Sequence, residues 1–193
     1  MSSAERLIES TRELLWERGY TGTSPRAIQQ RAGAGQGSMY HHFSGKPELA
    51  RAAIGRTAEE MRATAEAVLS APGPALERIA AYLHRERAVL RGCPVGRLTQ
   101  DPDVMADATL SEPVKQTFAW LVGRIAEVLR EGRDRGELDV ALDPESTAAT
   151  VVAVVQGGYV LARAAGSSEP FDRAVSGVAS LLAARGTSAR NDD

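Results

Sequence analysis

The sequence predicts an all-α protein of about nine helices, and three observations lead there. Apolar residues recur at spacings of three and four along most of the chain. Start and stop chemistry brackets those runs, with Ser24-Pro25 and Asp143-Pro144 as openings and Gly19, Gly33 and Gly136 as endings. No stretch alternates apolar and polar with period two and ends in hairpin residues, so no sheet is expected.

The first helix spans about Ala4 to Arg18, with Leu7, Ile8, Thr11, Leu14 and Leu15 on one face, Trp16 at its border and Gly19 as the stop. Ser24 then offers an N-cap oxygen, and Pro25 occupies the first helical position, where a missing N–H costs nothing. This second helix runs to Arg31 and turns inward through Ile28 and Ala32. Gly33 sits where a positive φ lets the chain reverse, and a short third helix covers Gln36 to His42. Seven residues cannot hold a helix unaided, so Met39 and Phe43 must pack it down. Pro47 and Glu48 open a fourth helix that lasts to Leu69, where Ala71-Pro72-Gly73-Pro74 breaks it.

Beyond that break, Leu76, Ile79, Ala80, Leu83, Val89 and Leu90 predict one amphipathic helix, interrupted at Gly92-Cys93-Pro94-Val95-Gly96. A less regular helical stretch follows to about Asp107. Ser111 or Glu112 with Pro113 then opens a helix carrying Val114, Phe118, Leu121, Val122, Ile125, Val128 and Leu129. Asp143-Pro144 opens a very apolar helix to Ala165, and Pro170 to Arg185 forms the last. The polar tail from Gly186 is expected to fray.

The chain has 193 residues, 43% of them hydrophobic and 25% charged, which fits an ordinary globular protein with a sizeable core. Net charge is −2, but residues 1–56 carry +3 and the remainder −5, so the basic end coincides with the two short helices. One cysteine, Cys93, excludes an intrachain disulfide and a Cys-based zinc cluster, and it reads as a small buried residue. No cofactor or metal is called for. His41 and His42 are adjacent on a helix and diverge, which makes them a poor metal pair. The N-terminus has no signal-like apolar run, and Gln156, Gly157, Gly158 and Arg163 interrupt the most apolar window. A cytoplasmic protein without membrane contact is the expectation. Paired acid and base, nucleophile motif and phosphate loop are all missing from the pattern, so an enzyme is not expected.

Thr21 to Leu49 is the most informative stretch: two short helices separated by a glycine-containing turn, followed at once by Lys46 and a longer helix. This is a helix-turn-helix layout, whose second helix suits a DNA major groove. Gln36 opens that helix, where its amide can pair with an adenine edge. Gly37 lets the backbone come close, and Ser38 is a short hydroxyl for a base or a phosphate. Tyr40, His41 and His42 suit phosphates better than bases, and Lys46, Ser24 and Arg26 stand near helix starts that favour anions. For Tyr40, His42 and Arg26, packing or plain solvation is the competing reading.

Gly19-Tyr20, Thr23-Ser24, Ile28, Ala32-Gly33, Gly37-Ser38-Met39-Tyr40, His42-Phe43, Lys46 and Leu49 together resemble the DNA-binding domain of the tetracycline-repressor (TetR) family. The chain departs from the family pattern at Ala34-Gly35, at Pro25 and at Gln29. The resemblance implies residues 1–50 as a DNA-binding domain and residues 51–186 as a helical body that dimerises and holds a small-molecule effector, with 187–193 as a disordered tail. It implies a homodimeric repressor on a palindromic double-stranded operator. The segment Arg91 to Val95-Gly96 with Leu98 is similar to a branch related to lincomycin-resistance repressors, which implies an apolar or drug-like inducer. Tyr82, Leu83, Phe118, Trp120, Leu121, Gln156 and Tyr159 are the residues that can line its pocket. The helices from Asp143 and Pro170 are the expected dimer pair, with Gly157-Gly158 permitting close approach. Activator rather than repressor action, and a helical ligand-binding dimer without DNA binding, are the alternatives.

Overall fold

A computed structural model describes residues 1–186, and among these residues it contains nine α-helices, two short 3₁₀ turns and no strand. The expected fraying of the tail concerns residues outside the described range, apart from Gly186, which forms a lone bridge with Leu138. The helices are α1 (Ser3–Arg18), α2 (Pro25–Ala32), α3 (Gln36–His42), α4 (Lys46–Leu69), α5 (Ala75–His84), α6 (Pro102–Ala106), α7 (Ala108–Asp134), α8 (Pro144–Ala165) and α9 (Glu169–Ala183). The 3₁₀ turns are Val89–Arg91 and Gly96–Gln100.

Capping explains most boundaries. Ser2 and Glu5 form a reciprocal capping box at α1, and Ser24 Oγ accepts from the Ala27 N–H at α2. Gly33 adopts the left-handed conformation, φ 58° and ψ 38°, and the Ala34 N–H reaches back to the Gln29 carbonyl at 3.0 Å.

Two body helices differ from the pattern-based reading. The helix expected to continue to Leu90 stops at His84, because Arg87 folds back and donates to the Leu83 and Tyr82 carbonyls, while Val89 and Leu90 fall in a 3₁₀ turn. The next long helix starts at Ala108 rather than near Pro113. Asp107 Oδ1 accepts from the Thr109 N–H at 2.8 Å and supplies an earlier cap, leaving Pro113 inside the helix.

The chain divides into two compact units, one of Met1–Met61 with Cys93–Thr117 and the other of Arg62–Gly92 with the chain from Phe118 on. In the first, α1, α2, α3 and the start of α4 close over Leu7, Leu14, Ile28, Ala32, Met39 and Leu49, with Ile8, Ala27, Ala34 and Phe43 packed around them. Burying such a set contributes roughly 1.5–3 kcal/mol per large side chain. Cys93 is buried, its Sγ accepting from the Gly96 N–H at 3.1 Å.

In the second unit, α8 packs on α9 and α5 on α9. Gly158 allows the α8–α9 approach, since a Cβ there would lie 2.9 Å from Phe171 Cδ2. The end of α4 is held by two arginines, which suit the negative end of a helix. Arg78, only 7% exposed, donates to the Leu69 carbonyl and to Glu131 at 2.6 Å. Arg124 reaches Glu66, Ser70 and the same carbonyl. The α8 helix is long and apolar enough to span a membrane by length and composition, but Val151, Val155, Tyr159 and Ala162 are buried against protein.

Candidate nucleic-acid interface

Met39 explains how a seven-residue helix survives. It is fully buried beneath α3 and accepts at Sδ from Gln29 Nε2 at 3.4 Å, so α3 is pinned to α2 through its inner face. That anchoring turns the opposite face outward. Gln36, Gly37, Tyr40, His41 and His42 are exposed, Tyr40 to 50%, and Ser38 is half-buried. Gly37 has nothing within 4 Å of where a Cβ would sit, so the backbone there is open to an approaching surface. Gly35 caps α3 without a side-chain hydrogen bond.

Ser24 and Arg26 stand exposed at the start of α2. Arg26 also lines a depression of about 350 Å³ with Gln29, Gln30, Gly33, Ala34 and Gly35, which joins it to the turn leading into α3. The histidines separate in role. His42 Nε2 is 2.7 Å from Ser3 Oγ, which ties it to the start of α1 and favours the packing reading for that residue. His41 meets only the edge of the His42 ring among the described ring contacts, 4.9 Å between centroids. Lys46 is half-buried rather than fully extended, its Nζ lying 3.9 Å over the Tyr20 ring. Burial lowers the Lys46 pKa from the usual lysine range, and the nearby Asp101 and Asp103 act against that change.

The charge balance of the front end is more local than its count suggests. Arg31 is held by Glu17 in a two-pronged pair at 2.8 and 2.9 Å. Arg12 is taken up by Glu9, Glu60 and Thr57, and Arg56 lies 3.8 Å from Glu9. Arg26 makes no ion pair among the described residues and stands exposed beside the turn into α3.

Asp101, which the sequence did not reveal, supports the α1–α2 turn beside the candidate interface. It is buried, 8% exposed, and its carboxylate accepts from the Tyr20 N–H at 2.7 Å, the Thr21 N–H at 3.0 Å and the Thr21 hydroxyl at 3.0 Å. Asp103 Oδ2 lies 3.1 Å from the same hydroxyl, whose single hydrogen the two carboxylates share. Burial works to raise the Asp101 pKa, but the hydrogen bonds from Thr21, Tyr20 and Val104 outweigh it and hold the carboxyl below its usual range. The turn between α1 and α2, with Tyr20 beneath Lys46, is therefore fixed by a residue eighty positions further along. In sequence Asp101 falls within the less regular helical stretch before Asp107, and no spacing rule points from it to Tyr20.

Of the expected effector residues, Tyr82, Leu121 and Tyr159 are buried, while Phe118, Trp120 and Gln156 are half-buried. Tyr82 and Tyr159 are brought together around Arg87 and Phe171. The Arg87 guanidinium lies 5.2 Å from the Tyr82 ring and 5.7 Å from the Phe171 ring, and Phe171 packs against Tyr159 with the rings tilted by 42° and centroids 4.9 Å apart.

A helix-turn-helix with a pinned inner face and an open polar outer face, followed by a helical body, defines a DNA-binding regulator of transcription. Family profiles agree: that for bacterial regulatory proteins of the tetR family matches residues 7–53, and that for the tetracyclin repressor-like C-terminal domain matches residues 74–178, more than half of the chain. The chain belongs to the TetR family of transcriptional regulators. It is similar to the HTH-type transcriptional repressor DhaR of Mycobacterium sp. (strain GP1), 24% identical over 172 residues that cover 88% of this chain and 86% of that one. A TetR transcriptional regulator from Chloroflexus aurantiacus has the same fold, with a TM-score of 0.84, 25% identity and coverage of 95% and 96%. The regulator CifR, solved as a cysteine mutant with a 26-bp double-strand operator, superposes with a TM-score of 0.78 at 22% identity, covering 92% of this chain and 95% of that one.

Proposed function

We propose that this chain is a homodimeric, effector-released repressor that places two copies of α3 in successive major grooves of a palindromic operator. The observation that carries the proposal is the two-sided character of α3, with Met39 buried beneath it and Gln36, Gly37 and Tyr40 exposed above. Gln36 is the base reader, Ser38 a base or phosphate contact, and Ser24, Arg26, Tyr40, His41 and Lys46 are phosphate ligands. His42, bonded to Ser3, contributes by holding α3 to α1. Residues 1–50 form the DNA-binding domain and residues 51–186 the effector and dimer domain.

The dimer face is α8 with α9. Val160, Leu161 and Leu181 are 59%, 54% and 72% exposed in the single chain, and Gly157 and Gly177 have open space beside them. A second copy covering these side chains removes them from water and brings two readers to centres about 34–36 Å apart. Effector binding must favour one dimer arrangement over another to alter operator affinity. Helices α4 and α7 each run from one compact unit into the other, and α4, which follows the reader α3 directly, is the element through which that preference is transmitted. Tyr82, Phe118, Trp120, Leu121, Gln156 and Tyr159 line the effector site, and the body's likeness to the lincomycin-resistance branch favours a drug-like inducer. Repressor polarity follows the naming of relatives such as DhaR. Catalysis has no part in this reading, and the protein works in the cytoplasm beside the chromosome.

The test is fluorescence anisotropy with DNA from the region upstream of the protein's own gene, at several salt concentrations. Specific binding must weaken steeply with salt, and Gln36→Ala must lose discrimination between operator and random DNA while keeping the non-specific term. Equal discrimination by wild type and variant removes Gln36 as the reader.

A further inference from the structure

The buried and half-buried arginines of the second unit are not treated alike. Arg78 is paired with Glu131, and Arg124 with Glu66, Glu127 and Glu131. Arg85 and Arg87, just past the end of α5, make no ion pair among the described residues, although both guanidinium groups lie against the same Tyr82 ring at 5.3 and 5.2 Å. The two terminal nitrogens of Arg87 donate to the carbonyls of Leu83, Arg85 and Tyr82, which accounts for its role in ending α5. Its Nε remains buried and without a hydrogen-bond partner, and so does the Nε of Arg85. Burial pushes the Arg87 pKa down and Arg85 adds to that effect, while Tyr159 and Tyr82 act against it. Two half-buried cations against one ring, each with an orphaned donor, are costly unless something anionic meets them.

We propose that Arg85 and Arg87 are the recognition site for the anionic group of a small organic acid, a carboxylate or a phosphate, whose aromatic or apolar body packs on Tyr82, Tyr159 and Phe171. The chain supplies the aromatic half of such a site through the Tyr159–Phe171 pair, 4.9 Å between centroids. It supplies the polar half through two Nε–H donors, one from each arginine, rather than a fork from either alone. This assigns an acidic group to the effector and rests on the effector reading given above.

The experiment is isothermal titration of the purified full-length protein with benzoate, phenyl phosphate and the neutral benzamide, at constant ionic strength. Benzoate or phenyl phosphate binds and benzamide does not, and which anion binds better distinguishes carboxylate from phosphate recognition. Because Arg87 also caps α5, Arg85→Met is the primary variant; it keeps its thermal melt and loses about tenfold or more in affinity, the worth of one charge-assisted hydrogen bond. Arg87→Lys, which keeps the charge but lacks an Nε–H beside capping nitrogens, does not restore wild-type binding. No heat from either anion at about 10 mM, where a site weaker than that lies outside ordinary effector range, overturns the inference, as does equal binding of benzamide or an Arg85→Met affinity equal to wild type. The same ligands are then added to the protein–operator complex. Anion binding that leaves operator affinity unchanged keeps the site and overturns its effector role, whereas operator binding with no anion bound overturns the site and leaves the repressor reading standing.

Discussion

Replacing Asp101 with asparagine keeps the size of the side chain and reverses the character of one of its two oxygens. Oδ2 accepts from both the Tyr20 and Thr21 N–H groups, while Oδ1 accepts the Thr21 hydroxyl. An amide presents only one oxygen; with that oxygen on the two N–H groups, its NH₂ donates to the Thr21 hydroxyl, which still reaches Asp103, so what is lost is the charge of the acceptor. A hydrogen bond to a charged acceptor contributes about 1.5–3 kcal/mol, against about 0.5–1.5 kcal/mol for a neutral one. With two N–H bonds losing their charge assistance, the expected loss is about 2 kcal/mol, or roughly 4–8 °C in melting temperature for a chain of this size. Asp103→Asn is the control. Asp103 is exposed and shares only the Thr21 hydroxyl, so its loss stays below about 1 kcal/mol.

The pH dependence has a fixed sign. The Asp101 pKa is depressed in the folded protein, so its contribution is fully present above the unfolded carboxylate pKa and disappears as pH falls through the folded value. The stability gap between wild type and Asp101→Asn must accordingly be widest near neutrality and close in acid. Urea denaturation at a series of pH values measures that gap, and hydrogen exchange at the Tyr20 and Thr21 amides locates it. A variant within about 0.5 kcal/mol of wild type at neutral pH, with unchanged exchange at those two amides, refutes the assignment of Asp101 as the clamp of the α1–α2 turn.

Three further perturbations follow from the same contacts. Gly158→Ala places a methyl group 2.9 Å from Phe171 Cδ2, so α8 and α9 must separate, and calorimetry should show a loss of about 1–3 kcal/mol. Ser24→Ala removes the acceptor for the Ala27 N–H and should cost about 1 kcal/mol by chemical denaturation, with weaker operator binding alongside. Leu181→Asp puts a charge on a side chain that is 72% exposed in the single chain, so it should leave the fold intact by circular dichroism while shifting sedimentation from dimer to monomer. A Leu181→Asp dimer as stable as wild type removes that part of α9 from the interface.

Local chemistry made the front of the chain legible. Gly33 needed a positive φ, Ser24-Pro25 is a complete helix opening, and Met39 is the apolar residue of α3 that the rest of the domain buries, so the limits of α2 and α3 follow from a few neighbours. The body was less legible where a distant or unusual partner decided the outcome. Val89 and Leu90 continue the apolar spacing of α5, but that spacing carries no information about Arg87 folding back on the Leu83 carbonyl. Pro113 is a good helix opener, and Asp107 provided a better one six residues earlier. Charge counting found the basic end but could not show that Arg31 and Arg12 were already occupied by Glu17, Glu9 and Glu60. Of the candidate site, the α3 face was readable from residue types at fixed offsets, whereas the Asp101 clamp and the unpaired Arg85 and Arg87 exist only once the chain is folded.

The most direct measurement of the central claim is a hydroxyl-radical footprint of the full-length protein on the DNA upstream of its own gene, repeated with Gln36→Ala. The account predicts two protected patches on one face of the duplex, related by a dyad and about one helical turn apart, which fade for the variant at protein concentrations that protect fully with wild type. Uniform protection without a dyad, or an identical pattern from both proteins, contradicts it.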